Sequence, residues 1–273
     1  MLPDILCYTD YKSIPFSAYL YQKNKKMNNL KNKIALVTGG NSGIGYAIGK
    51  ELVAQGAKVV ITGRRKEAIE AAAHEIGASS FLADQANLDD TIQLTAAVKE
   101  QFAKIDILVI NAGITGTLGP IEEASVENFD RVMNINFRGA YFTLSKFIPL
   151  LNDGASVVIL SSIVAATHKP NSSIYQASKA ALNSIAKTAA AELASRKIRV
   201  NIVSPGPHRT EIMRKTGLEE MALKSITEQL INDIPLKKMG EPEDVAKLVT
   251  YLCDDAASFI TGTEVIADGG ITL

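Results

Sequence analysis

Two hydrophobic rhythms alternate along the chain. Short, almost continuously apolar and often β-branched runs recur at residues 34–37, 58–62, 80–83, 106–110, 156–160, 198–203 and 263–267. Between them, segments 45–55, 67–76, 88–103, 126–151, 175–196 and 242–252 read as helices. Runs that lack a polar face predict strands buried on both sides, and the helical stretches are long enough to carry the chain from one parallel strand to the next. The pattern therefore predicts one α/β domain: a single doubly wound parallel sheet of about seven strands, Rossmann-like, with helices on both faces.

Residues 1–29 do not share this rhythm. They hold Tyr8, Tyr11, Tyr19 and Tyr21 and a Lys/Asn cluster before Met27, with Asp4 and Asp10 where a secretory signal would be basic. They read as a non-core N-terminal extension, with Met27 a candidate native start and residues 30–273 the domain. Within the domain, segment 211–238 sets Ile212, Met213, Leu218, Met221, Leu223, Ile226, Leu230 and Ile231 among charges at near-helical spacing.

Composition narrows the function. Lys plus Arg and Asp plus Glu number 29 each, a formal net charge of zero, which argues against a nucleic-acid partner. No apolar run reaches the ~18 residues of a membrane span. Two cysteines, Cys7 and Cys253, are too few for a disulfide framework, so a reducing, cytoplasmic setting is expected. His74, His168 and His208 lie far apart in the chain, and no metal is expected.

The first strand runs into Thr38-Gly39-Gly40-Asn41-Ser42-Gly43-Ile44-Gly45 and then a helix. Gly39 permits the turn, Gly43 lets backbone approach a pyrophosphate, Gly45 lets helix and strand pack, and free amides at the helix start attract anions. The spacing G-x-x-x-G-x-G in this context predicts dinucleotide binding. About twenty residues on, where a carboxylate would take the ribose hydroxyls of NAD, the second strand ends in Arg64-Arg65, with no Asp or Glu from Val59 to Lys66. Guanidinium groups hold a 2′-phosphate, so NADP is favoured over NAD. Asp84, after the third strand, is a candidate for the adenine edge or a helix cap.

Tyr175 and Lys179 stand four apart, hence on one helix face. Such pairs are common here: Tyr8/Lys12, Tyr19/Lys23, Tyr21/Lys25 and Tyr46/Lys50 share the spacing. Only Tyr175 has a serine, Ser162, thirteen residues upstream at the end of an apolar strand, where a parallel sheet places its ligand crevice. Asn111-Ala112-Gly113 ends the fourth strand at the same crevice. Asn136, inside the helix expected at 126–151, is mildly unfavourable there, which hints at a buried polar task.

Taken together, residues 38–45, Asn111–Gly113, Asn136, Ser162, Tyr175, Lys179 and Pro205-Gly206 resemble the short-chain dehydrogenase/reductase family in its compact form of about 250 residues. The resemblance implies that Tyr175 is the general acid/base. Lys179 would bind the nicotinamide ribose and, with the oxidised nicotinamide, lower the phenol's pKa; Ser162 would donate to the substrate oxygen; Asn136 would hold a proton-relay water. It also implies that Pro205, Gly206 and Thr210 bind the carboxamide, that 211–238 covers the substrate, and that the chain forms a homotetramer through its two long helices and C-terminal segment. His208 and Arg209 depart from the family's apolar and acidic pair before the threonine, which puts the geometry of that loop in question. The activity implied is NADP(H)-dependent hydride transfer between nicotinamide and a carbonyl or alcohol. The alternatives are a nucleotide-binding regulator with little turnover, and, among enzymes, a 3-oxoacyl thioester reductase or sugar dehydrogenase. His168 reads as an exposed loop residue.

Overall fold

The computed structural model describes residues 30–209 and 220–273, with the side chains of 220–223 left aside. Seven strands, β1 Ile34–Val37, β2 Lys58–Gly63, β3 Ser79–Leu82, β4 Ile105–Ile110, β5 Leu151–Leu160, β6 Arg199–Pro205 and β7 Glu264–Ala267, form one sheet in the order 3-2-1-4-5-6-7. Every pairing is parallel. The chain winds outward from β1 to β3, then returns and winds the other way from β4. The crevice between the carboxyl ends of β1 and β4 is thus the topological switch point, where ligands bind in such sheets.

Two cores explain why the inner strands carry no polar face. Ala35 and Val37, Ile107 and Val109, and Val158 and Leu160 face helices α1 Gly43–Ala54, α2 Lys66–Ile76 and α8 Pro242–Cys253. Their alternates, Leu36, Leu108, Ile110, Val157 and Ile159, face α3 Leu88–Phe102, α5 Ala140–Phe147 and α6 Ser173–Leu193. Local signals set the helix ends. Asn87 accepts a hydrogen bond from the Asp89 N–H at the start of α3, and α8 opens with Pro242 and a Glu241/Asp244 capping box. Two further helices are α4 Val126–Met133 and α7 Glu220–Asp233.

The structure departs from the expected single helix over 126–151. After α4 the chain makes a π-helical turn, Asn134–Gly139, before α5, then a 3-10 turn, Ile148–Leu150. A π turn widens the backbone by one residue and turns side chains out of the helical register. Here the turn carries Asn136, and Gly139 lies so close to Gln85 that a Cβ would come 2.1 Å from the Gln85 carbonyl oxygen. β5 also begins at Leu151, earlier than 156, because Leu151 pairs with Ile105 and the register then shifts before Ser156 meets Ile107. Among the described residues no helix is long and apolar enough to cross a membrane, and no cluster of His, Cys, Asp or Glu could hold a metal ion. Cys253 is a buried free thiol whose pKa burial pushes up to about 12.

Candidate active site

A cleft of about 410 Å³ lies at the switch point. Of the residues singled out from sequence, Gly39, Asn41, Ser42, Gly43, Ile44, Gly45, Arg64, Arg65, Asp84, Asn111, Ala112, Gly113, Tyr175, Lys179 and Pro205 line it. Asn136, Ser162 and Gly206 stand behind or beside its wall, and Thr210 lies outside the described residues.

The glycine-rich loop is held from outside. Asn111 donates its side-chain amide to the Thr38 and Gly39 carbonyls at 3.0 and 3.1 Å, and Thr38 Oγ1 accepts from the Asn111 and Ala112 N–H groups. Asn111 therefore binds the loop to the end of β4. The packing leaves no space at Gly45, where a Cβ would lie 2.2 Å from the Gly39 carbonyl oxygen and 2.4 Å from Asn111 Nδ2. Gly39 adopts φ +67 directly over Ala112, a conformation and an approach that favour glycine. Helix α1 starts in this cleft with no side-chain cap on Ser42 and no acidic residue in its first turn. Its leading N–H groups and positive dipole end are thus available to an anion.

Arg64 and Arg65 are exposed at the end of β2, and neither has an ion pair or hydrogen-bonded partner among the described residues. Asp84 carries the only carboxylate of the cleft lining, and its Oδ1 accepts from the Ala86 N–H at 2.9 Å in a local turn. The helix cap that the sequence left open for Asp84 belongs instead to Asn87. The donor set, an uncapped helix start beside two guanidinium groups without a partner among the described residues, fits the phosphates of a dinucleotide.

At the opposite end stand the chemical groups. Tyr175, in the first turns of α6, keeps part of its surface open, while protein packs around it closely enough for burial to raise its pKa; a hydrogen bond with Ser162 acts in the opposite direction. Lys179, one turn on, is 4% exposed, and burial alone lowers its pKa to about 8. Its Nζ donates to the Leu160 carbonyl at 2.9 Å and lies 5.9 Å from the Tyr175 ring centre. The protein's own groups hold the phenol above its ordinary value, because burial outweighs the Ser162 hydrogen bond.

Asn136 is fully buried and clamps the loop that follows β4. It accepts from the Ile114 N–H at 2.8 Å and donates to the Ile114 carbonyl at 2.8 Å and to Ser178 Oγ at 3.0 Å. Ser178 in turn donates to the Tyr175 carbonyl at 2.7 Å. Both amide hydrogens of Asn136 are therefore committed to protein. Gly113 brings these groups together, since a Cβ there would lie 3.3 Å from Asn136 Oδ1 and 3.4 Å from Lys179 Nζ.

Gly206 packs on the C-terminal segment, where a Cβ would meet Asp268 Cβ at 2.5 Å. His208 is buried, with Nδ1 2.9 Å from the Gly206 carbonyl, against Gly240, and the exposed Arg209 pairs with Glu241 at 3.0 Å. The departure at these two positions is thus absorbed locally, by packing and by an ion pair. His168 is exposed, as expected.

Sequence reasoning missed Thr62, Gln85, Thr115, Ile135 and Ser161, which also line the cleft. Thr62 and Ser161 sit at strand carboxyl ends, a positional signal that would have found them. Gln85 donates to the Ala112 and Ile135 carbonyls at 3.1 and 3.0 Å, and no motif marks it.

A family model described as enoyl-(acyl carrier protein) reductase matches residues 39–272. Human dehydrogenase/reductase SDR family member 4 is 35% identical over 88% of this chain and 88% of its own. The chain belongs to the short-chain dehydrogenase/reductase family. Among solved structures, a 3-ketoacyl-(acyl-carrier-protein) reductase from Brucella melitensis, complexed with NADH, is 34% identical with a TM-score of 0.82, over 89% of this chain and 100% of its own. A blue fluorescent protein from a metagenomic library, in complex with NADPH, is 30% identical with the same TM-score over 90% and 100%. This family member is thus an oxidoreductase of a group that uses nicotinamide cofactors.

Proposed function

We propose that the protein is an NADP(H)-preferring carbonyl reductase or alcohol dehydrogenase, with Tyr175 as its general acid/base. The observation that carries this reading is the meeting of Tyr175, Ser162 and Lys179 at one end of a cleft whose other end is an uncapped helix start beside Arg64 and Arg65. A bound nicotinamide dinucleotide supplies or accepts the hydride and, when oxidised, brings a positive ring to the site.

In reduction, Tyr175 gives its phenolic proton to the carbonyl oxygen as the carbon gains hydride; in oxidation it takes the alcohol proton back. Ser162 donates to the substrate oxygen, fixing it beside the phenol and stabilising the charge that develops there. Lys179 holds the ribose hydroxyls with an ammonium that, at a pKa of about 8, is still mostly protonated at neutral pH. Asn136 is assigned to holding the proton-relay water, and its side chain also fixes Ile114 and, through Ser178, the first turn of α6. Arg64 and Arg65 pair with the 2′-phosphate, while Asn41, Ser42, Gly43 and Ile44 receive the pyrophosphate. Pro205, Gly206 and Thr210 are assigned to the carboxamide end, and segment 211–238 to covering the substrate. Exposed Phe129 and Tyr141 on α4 and α5, and Phe259 and Leu273 near the C-terminus, support assembly as a homotetramer. Work in the cytoplasm completes the proposal.

A ketone and aldehyde panel run in parallel with NADPH and NADH tests it. Turnover with a clear NADPH preference is expected. Tight NADPH binding with no turnover of any carbonyl would instead indicate a nucleotide-binding regulator.

A further inference from the structure

A second cavity, of about 160 Å³, opens on Tyr175 from the side away from the glycine-rich loop, sharing Thr115 and Tyr175 with the main cleft. Its rim is built of hydrogen bonds between separate segments. The Gly119 N–H donates to the Asn171 carbonyl at 2.8 Å, and Gln176 ties Lys169 and Ser172 to the start of α6. Asn128 receives the Thr117 N–H at 2.9 Å and donates to its carbonyl at 3.0 Å. The walls are therefore fixed by one backbone bond and by the side chains of Asn128, Gln176 and Ser172, and several other polar side chains on them are left over.

Thr117, Glu123, Asn171 and Ser173 line this cavity, and their side chains have no hydrogen-bonded or ionic partner among the described residues. Among the described residues that line it there is no Lys, Arg or His, and Arg131 reaches the wall only through its bond to Asn128 Oδ1 at 3.1 Å. A substrate end bearing a phosphate or carboxylate would meet the carboxylate of Glu123, the one charged side chain of the described lining. A wholly apolar end would bury unpaired hydroxyls and a carboxylate. Hydroxyl groups answer both demands, since they donate to Glu123 and exchange hydrogen bonds with Thr117, Asn171 and Ser173.

We propose that this cavity is the subsite for the far end of the substrate, and that the substrate is a neutral, polyhydroxylated carbon chain bearing the reacting carbonyl or secondary alcohol. The proposal rests on the oxidoreductase reading above and specifies its substrate class. Glu123 is its specificity-determining residue, accepting hydroxyl donors on a carbon beyond the reacting one.

The test compares kcat/KM for polyhydroxy ketones, alkanones of equal length, ketones ending in an ammonium or carboxylate, and a 3-oxoacyl thioester, in the native protein and in Glu123→Gln and Thr117→Val. The polyhydroxy ketones are expected to lead the alkanones by at least about tenfold. In Glu123→Gln that lead falls about tenfold, in KM, as a charge-assisted acceptor is lost. A lead held by alkanones, ammonium ketones or the thioester, or a ratio unmoved by Glu123→Gln, overturns the subsite while leaving the oxidoreductase reading intact. Absence of turnover on the whole panel fails the oxidoreductase reading instead. The cavity is then judged by saturation-transfer NMR with sorbitol: a signal lost in Glu123→Gln supports it, and no signal from the native protein overturns it.

Discussion

Burying an ammonium at the centre of the site has a cost that titration can isolate. Lys179 is 4% exposed, and its pKa falls from 10.5 to about 8 through burial. A difference of that size between unfolded and folded chains corresponds to about 3 kcal/mol. Below the folded pKa both states carry the proton, so the full penalty acts at pH 7. Between about pH 8 and 10.5 the unfolded chain holds more protons than the folded one, so this group's contribution makes stability rise with pH, and the penalty is gone above 10.5. Lys179→Met keeps the length of the side chain and removes the charge, along with the hydrogen bond to the Leu160 carbonyl. Urea unfolding of both proteins at several pH values and fixed concentration gives their difference in stability, in which every other titrating group largely cancels. Relative to Lys179→Met, the native protein should gain about 2–3 kcal/mol between pH 7 and pH 10. A difference that stays flat across that range would show that the ammonium is not buried as described.

The cofactor end makes a separate prediction. Replacing Arg64 and Arg65 together by Ala should weaken NADP binding in calorimetry by at least about tenfold and alter NAD binding by less than about twofold, since only the 2′-phosphate is lost as a partner; equal losses for both nucleotides would refute the assignment. Asn136→Ala leaves the Ile114 N–H, its carbonyl and the Ser178 hydroxyl short of a partner in a fully buried place. It should cost about 3 kcal/mol or more in chemical unfolding, and a loss under about 1 kcal/mol would mean that the clamp is not needed.

The sheet was legible because its inner strands are buried on both faces and stood out as apolar runs, to within a few residues except at β5, while the edge strands β3 and β7, partly exposed, were found from their place in the alternation of strand and helix. What escaped was the geometry between α4 and β5. A π turn leaves no mark in apolar spacing: Asn136 reads as a mildly unfavourable residue of an ordinary helix, and the close approach of Gly139 to Gln85 shows only in the structure. The early start of β5 was hidden by Asn152, Asp153 and Gly154, which look like loop but lie in a shifted register. At the site, residue types and spacing brought Tyr175, Lys179 and Ser162 together correctly. Their protonation balance was not readable, because it depends on burial and on where the ammonium points. Lys179 turns to the Leu160 carbonyl, and Asn136 spends both amide hydrogens on Ile114 and Ser178. Neither choice follows from the order of the residues.

The central claim is that the phenol of Tyr175 moves the proton that accompanies hydride transfer. Single-turnover oxidation of NADPH by Tyr175→Phe, with a ketone the native protein reduces, tests it most directly. The rate should fall by about 10²–10⁴-fold while NADPH affinity, measured by fluorescence titration, stays within about threefold of native. A variant that turns over at the native rate with its NADPH affinity intact would contradict the account.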